Sequence, residues 1–288
     1  MTDAWSDWLL LRRQGGSELQ ADQRDELMRY RDGVLGGAAL RPNDVLLDVG
    51  CGDGLIGFGA FEALRGALRV VFSDVSSKLL RLCEERAEAM GVSDRSSYVQ
   101  ASAEDLAGVG DESVDAVTTR SVLIYASRKR DAFAEFFRVL RPGGRLSIFE
   151  PINRRMFPEP PGMFWGWDVS AVAGLRDRVV AEIERRCGPD LRPMMDFDEN
   201  DLVRLAEDAG FEEVELILQV SVTRPHPRDW EQVLHSSPNP LSPTLLEAVD
   251  GALESTEASL FLSALRGSVE AGVGQNRLAV AYLRARKG

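Results

Sequence analysis

The sequence predicts an α/β fold, as one domain with appendages or at most two, and three observations carry that prediction. Short apolar, β-branched runs that read as buried parallel strands alternate with stretches of helical period. One run, Val45–Val49, passes straight into Gly50, Gly52 and Gly54 and then into an apolar helical stretch. Another, Arg69–Asp74, ends on an acid, at the edge where the strands of an open parallel sheet meet their ligands. With 288 residues, 44% of them hydrophobic, the chain can bury a core of the size this fold needs.

Taken in order, residues 3–40 precede the first strand. Trp5, Trp8, Leu9 and Leu10 recur near helical spacing, Gly15–Gly16 breaks the pattern, and a helix is expected from Ala21 to about Val34. This segment reads either as a lid or as a helical pair that packs its tryptophans onto the domain. The strand at 45–49, its glycine turn and the helix from about Leu55 to Leu64 form a nucleotide cradle. Glycines there accept positive φ and let the backbone approach a ligand, and the helix that follows offers unpaired N–H groups.

The next helix runs to Met90 with Leu79, Leu80, Cys83 and Ala87 on its apolar face, and Gly91 stops it. Strands follow at about 97–100 and 113–120, and then a helix capped at Ser127, whose Phe133, Phe136, Phe137 and Leu140 read as core. The turn Arg141-Pro142-Gly143-Gly144 leads to a fifth strand, Arg145 to Glu150. Residues 151–197 form an insertion with Trp165 and Trp167 and a helix from about Val169 to Arg186. Asp198 caps a further helix that ends at Gly210, and Val214 to Val222 alternate as a half-buried edge-type strand. A second insertion, 224–274, is proline-rich up to Pro243 and helical from about Thr244 to Ala271, and the last strand spans Arg277 to Leu283.

The glycines alone admit two ligands. Gly52-Asp53-Gly54-Leu55-Ile56-Gly57 satisfies the G-x-G-x-x-G pattern of dinucleotide-binding folds. Asp48-Val49-Gly50-Cys51-Gly52-Asp53-Gly54 resembles the first motif of the class I S-adenosylmethionine-dependent methyltransferases. The balance tips at Ser102-Ala103-Glu104-Asp105-Leu106, which is similar to the Asp-Ala-Glu-Asp-Leu loop of that family and has no counterpart in the NAD folds. Ser113 to Arg120 and the Arg-Pro-Gly-Gly turn look like later parts of the same fold. The resemblance covers residues 41–150 by motif, and 198–223 and 277–285 by topology only.

That resemblance implies a Rossmann-like sheet of seven strands with the last one antiparallel, carrying helical lid insertions, and S-adenosylmethionine as the cofactor. It divides the chain into an N-terminal helical lid at 1–40, a cofactor-binding core at 41–150, an insertion at 151–197, and a C-terminal part of the core at 198–288. For the cofactor it implies Asp48, Gly50, Gly52 and Gly54, then Asp74 with Val75 at the ribose, Ser102 and Ala103 at the adenine edge, and Arg120 near the sulfonium. Ser102 stands where the family often has aspartate, so Glu104 or Asp105 is an alternative acceptor and the choice stays open. Arg12 or Arg13 is placed to meet the methionine carboxylate through a bidentate pair, Arg13 being the one carried forward.

For the acceptor, Tyr125, Asn153, Trp165 and Trp167 are candidate contacts, with pinning of the insertion as the equal alternative for the tryptophans. Tyr125, Glu150, His226 and His235 are the candidate proton acceptors, the two histidines being the only ones in the chain. The expected reaction is methyl transfer to a small molecule of specialised metabolism, with oxygen or nitrogen preferred over carbon on general grounds. The competing classes are an NAD-dependent oxidoreductase, a methyltransferase of peptides or proteins, and a silent adenosine-binding protein.

A net charge of −12 with scattered basic residues argues against a nucleic-acid partner. Cys51, Cys83 and Cys187 are odd in number and lack C-x-x-C spacing, which speaks against a disulfide framework and a zinc site and for a reducing, cytoplasmic setting. Two histidines without nearby cysteines make no metal set. No long apolar run or leader is visible, so neither membrane contact nor export is expected, and the chain is expected as a monomer or homodimer.

Overall fold

A computed structural model describes residues 3–13, 15 and 20–288; Gly16, half of the expected N-terminal break, lies outside the described residues. Contact density divides the chain into two units. One comprises Met1–Leu19, Asn153–Met195 and Val220–Ala279, and the other Gln20–Ile152, Asp196–Gln219 and Val280–Gly288.

The second unit is built on a seven-stranded sheet. Its strands are β1 (Val45–Val49), β2 (Arg69–Asp74), β3 (Ser96–Gln100), β4 (Val114–Arg120), β5 (Leu140–Pro151), β6 (Phe211–Thr223) and β7 (Asn276–Lys287). They lie in the order β3-β2-β1-β4-β5-β7-β6. The first five pair in parallel, and β7 runs antiparallel to β5, as the resemblance implies. β1 is buried along nearly its whole length, which is why it reads as a continuous apolar run rather than an alternating one. Edge strand β6 half-buries Val214, Leu216 and Leu218 as expected, but leaves Ile217 exposed and, against the expected alternation, Val220 and Val222 as well.

Five helices flank this sheet: α1 (Ala21–Ala38), α2 (Leu55–Ala63), α3 (Ser77–Met90), α4 (Lys129–Val139) and α5 (Glu199–Ala209). Helix α1, expected as part of an N-terminal lid at 1–40, groups with the sheet instead. It buries Val34 and Ala38, and Ser147 of β5 donates its hydroxyl to the Val34 carbonyl at 2.8 Å. Helix α3 buries the four expected residues and ends at Gly91, and α5 carries a capping box between Asp198 and Asp201. Phe133, Phe136 and Leu140 are fully buried, whereas Phe137 is half-buried and meets Phe211 edge-on at 5.2 Å.

Ser127 does not cap α4. Arg128 occupies that position without a side-chain cap, and the carboxylate of Glu104 accepts from the Arg128 N–H and from the Ser127 hydroxyl. One backbone donor at the helix start is thus met from a neighbouring loop, which no local pattern encodes.

The first unit has a core of its own, around Phe164, Val179, Trp230, Val249, Phe261 and Leu265. A short helix, Ala4–Asp7, runs into a π-helical turn, Trp8–Arg12. The Trp8 indole donates to the Ser237 carbonyl at 2.9 Å, and Arg12 pairs with Glu247 at 2.8 Å. The expected helix 169–186 starts later, at Ala173, after a short 3-10 turn. The expected helix 244–271 is two helices, Leu245–Ala252 and Ser255–Ala271, because Leu253 is extended and Glu254 starts a new capping box with Glu257. Proline-rich 224–243 also contains a helix, Trp230–His235, capped by Asp229.

Candidate functional site

The carboxyl ends of β1, β2 and β4 meet at the glycine turn. Gly50, Gly52 and Gly54 all adopt positive φ, at 63°, 57° and 79°, a region that costs side-chain-bearing residues strain. The turn is tied down by Cys51 N–H donating to the Ser73 carbonyl at 2.9 Å and Gly54 N–H to the Cys51 carbonyl at 2.8 Å. At Gly50 the constraint is also steric, since a Cβ there would overlap a methyl of Val122. We therefore expect Gly50→Ala to destabilise the protein by about 1–3 kcal/mol through the φ strain, with the overlap added to it. Denaturant unfolding of the variant, with and without Val122→Ala, checks this, and only the overlap part should be recovered.

Asp48 is 1% exposed. Its carboxyl accepts from the Gly57 N–H at 3.1 Å and from the Thr118 hydroxyl at 3.1 Å. Burial pushes its pKa up to about 7, against the pull of Thr118, Gly57 and the Arg120 guanidinium. Asp74, also buried, is held at the end of β2 by the N–H groups of Gly52 and Ser76, each at 2.9 Å. Ala101 N–H donates to the Asp74 carbonyl at 3.1 Å, so the loop from 101 to 106 starts directly beside this acid. Gln100 joins the same cluster by donating to the Val75 carbonyl at 3.0 Å. Within that loop Ser102 bridges to Asp105, Ala103 is buried, and the Glu104 carboxylate is committed to the start of α4. Asp105 accepts in turn from the Ala107 N–H at 3.2 Å, so both acidic alternatives to Ser102 already hold a backbone donor.

Arg120 ends β4, half-buried, close enough to Asp48 for its charge to act on that carboxyl. Tyr125 is half-buried in the loop that follows. Glu150 is fully buried, and its carboxylate accepts from the N–H groups of Val122, Leu123 and Ile124 at 2.9, 2.8 and 3.1 Å. The sequence marks it as a candidate proton acceptor, and in the structure three backbone donors take three of its roughly four acceptor sites.

The remaining candidates lie in the first unit. Arg13 sits over the Trp8 ring at 5.6 Å. Asn153 is buried at the start of a short helix, Asn153–Met156. Trp165 stacks on Phe164 at 4.9 Å, and both Trp165 and Trp167 pack against that unit's core. His226 is exposed, and His235 is exposed with Glu231 3.7 Å away.

Three residues of the site escaped the sequence. Thr118 reaches Asp48 because β1 and β4 pair those two positions, Val122 lies on Gly50, and Cys83 sits 4.0 Å from Cys51 and 3.4 Å from the Gly52 carbonyl. The hydrogen bond to Cys83, with burial, holds the Cys51 thiol well above its ordinary range, and burial raises Cys187. All three thiols, at most 6% exposed, are expected to react with an aromatic disulfide reagent only when the protein is unfolded. Thiol titration with and without denaturant is the check. Among the described residues no group of His, Cys, Asp or Glu side chains could hold a metal ion.

A carboxylate beside a tight glycine turn can accept from a ribose diol, and the adjoining loop can face a base edge, an arrangement that suits an adenosine-bearing ligand. Two hydroxyls at the ends of β2 and β4, Ser73 Oγ and Thr119 Oγ1, are buried without hydrogen-bond partners among the described residues. Residues 47–148, which span β1 to β5, match the methyltransferase-domain family.

Residues 47–148 are a class I S-adenosylmethionine-dependent methyltransferase domain.

With that match the dinucleotide reading of Gly52 to Gly57 gives way. The domain resembles a tRNA 5-carboxymethoxyuridine methyltransferase of Escherichia coli, 29% identical over 58% of this chain and 59% of the relative. Erythromycin 3''-O-methyltransferase of Saccharopolyspora erythraea is 37% identical over 38% of this chain and 36% of the relative. The ubiquinone/menaquinone biosynthesis C-methyltransferase of Allorhizobium ampelinum is 30% identical over 54% and 60%. The chain thus spans less than two thirds of the length of these relatives. Among solved structures, geranyl diphosphate methyltransferase in complex with GPP and sinefungin aligns with a TM-score of 0.53 at 18% identity, over 93% of this chain and 81% of that one. The [4+2]-cyclase SpnF aligns at 0.51 with 20% identity, over 92% and 82%. Both alignments speak for the fold alone, and the second carries a name other than methyltransferase. No helix among the described residues is long and apolar enough to cross a membrane.

Proposed function

We propose that the chain transfers a methyl group from S-adenosylmethionine to an oxygen or nitrogen atom of a small molecule. The observation that carries this reading is the single contiguous edge formed by the glycine turn, Asp74 and the loop tied to it at Ala101, in a domain of the methyltransferase family. When bound, the sulfonium supplies an electrophilic methyl group for in-line displacement. Asp74 accepts from the ribose hydroxyls, with Val75 beside it. Ser102 and the Ala103 N–H read the adenine edge, and Asp48 and Arg120 hold the amino-acid end. Holding the reactants in line is the main task of such a site, and well-oriented geometry is worth about 7–11 kcal/mol.

Tyr125 is the proton-handling group of this edge where the acceptor has a proton to lose. His226 and His235 keep the exposed settings of ordinary surface histidines. A small acceptor is favoured over RNA because the net charge is −12, which opposes contact with a phosphate backbone.

Calorimetric titration with S-adenosylmethionine, S-adenosylhomocysteine and NAD in parallel tests the cofactor, followed by a methyl-release assay over hydroxyl- and amine-bearing acceptors and bulk tRNA. Binding of both adenosyl ligands but not NAD, with turnover of a small acceptor, is the expected result. Turnover of tRNA alone would overturn the acceptor class, and binding of NAD alone would overturn the whole reading.

A further inference from the structure

We infer that Glu150 is a positioning residue, which holds the loop after β4 against the cofactor turn and does not take the acceptor's proton. The inference deepens the methyltransferase reading and rests on it. Ser121 turns the chain at φ 56° after its N–H donates to the Phe149 carbonyl at 2.9 Å. The next three N–H groups, of Val122, Leu123 and Ile124, then converge on the Glu150 carboxylate at 2.9, 2.8 and 3.1 Å.

Consecutive N–H groups converging in this way form a nest, the ordinary seat of a bound anion. Here the chain fills the nest with its own carboxylate. Two further bonds, Tyr125 N–H to the Val122 carbonyl and Ala126 N–H to the Leu123 carbonyl, at 3.0 and 3.1 Å, close the loop as one compact piece.

The loop reaches the cofactor turn through Val122. Its side chain lies where a Cβ of Gly50 would be, so any shift of the nest moves an apolar group that rests on the first glycine of the turn. The route therefore runs from the carboxylate of β5 through three N–H groups to the Val122 methyl and on to Gly50. Meanwhile Glu150 is 0% exposed and all three contacts use its oxygens, which leaves it badly placed to collect a proton from an acceptor.

A double-mutant cycle tests this route: wild type, Glu150→Gln, Val122→Ala and the double variant, each titrated with S-adenosylmethionine and each followed through thermal unfolding. Glutamine turns a donor toward the Ile124 N–H, and cofactor affinity is expected to fall about tenfold or more. In the Val122→Ala background the same change is expected to cost less than about threefold, because the group that transmits the shift is gone. Equal losses in both backgrounds, or a fall in methylation rate with cofactor affinity intact, would overturn the positioning role. Should Glu150→Gln fail to fold, Glu150→Asp, which keeps the charge but shortens the reach, carries the same comparison. A wild-type chain that binds no S-adenosylmethionine overturns the methyltransferase reading and this inference with it, whereas wild-type binding with additive effects overturns the inference alone.

Discussion

Asp74→Ala is expected to weaken binding of S-adenosylmethionine and of S-adenosylhomocysteine alike, by about a hundredfold or more. The residue is buried at the end of β2, and the N–H groups of Gly52 and Ser76 hold its carboxylate beside the glycine turn. An ionised acceptor that receives two ribose hydroxyls contributes roughly 1.5–3 kcal/mol for each bond, and every 1.4 kcal/mol is tenfold in affinity. Removing the carboxylate also frees the Gly52 N–H, so part of the loss comes through the turn itself. Comparing the two ligands separates ribose recognition from charge, because they share the ribose and differ by the sulfonium. An equal loss for both, read by calorimetry, places Asp74 at the ribose. A loss confined to the sulfonium ligand would make Asp74 a counter-charge instead.

How far the sequence reaches is visible in the parts of this edge. Strands β1, β2 and β4 are legible because helices cover them on both faces, so burial forces continuous apolar runs that glycine or acid ends sharply. Asp48, Asp74 and the glycines are legible for the same reason, as they stand where those runs stop. What depends on register is not legible. Thr118 meets Asp48 only because β4 pairs with β1 at that offset, and Val122 meets Gly50 only because a turn at Ser121 folds the chain back. Glu150 illustrates the limit within one residue. Its place at the end of β5 can be read from the pattern, but whether its carboxylate faces a ligand or three backbone donors cannot. In the first unit the apolar period continues through Leu253 and Glu254, so one helix is expected where extended backbone at Leu253 makes two.

The affinity for S-adenosylmethionine is expected to rise with pH up to about 7 and then level off, with Asp48→Asn removing most of that rise. Burial lifts the carboxyl of Asp48 to about 7 in the folded chain, well above the ordinary aspartate range and the reverse of the usual surface aspartate. Desolvation is the main cause, and Thr118, the Gly57 N–H and Arg120 oppose it, while the neighbouring Asp74 reinforces it. The sign for stability follows directly. Between about 4 and 7 the folded chain holds a proton that the unfolded chain has released, so the contribution of Asp48 to stability is lost as pH rises through that window.

A cation placed beside Asp48 favours the ionised carboxyl and expels that proton. Below pH 7 the binding of the cofactor's ammonium group is therefore coupled to release of close to one proton, and affinity changes by up to about tenfold per pH unit. Glu150, which burial also lifts to about 7, titrates in the same range but is present in both proteins. The difference between wild type and Asp48→Asn thus isolates Asp48. Calorimetry near pH 6 in two buffers of different ionisation enthalpy counts the released protons. Parallel affinity profiles for wild type and variant, with no difference in proton count, would remove Asp48 from the ammonium site and leave it as a buried brace between α2 and β4.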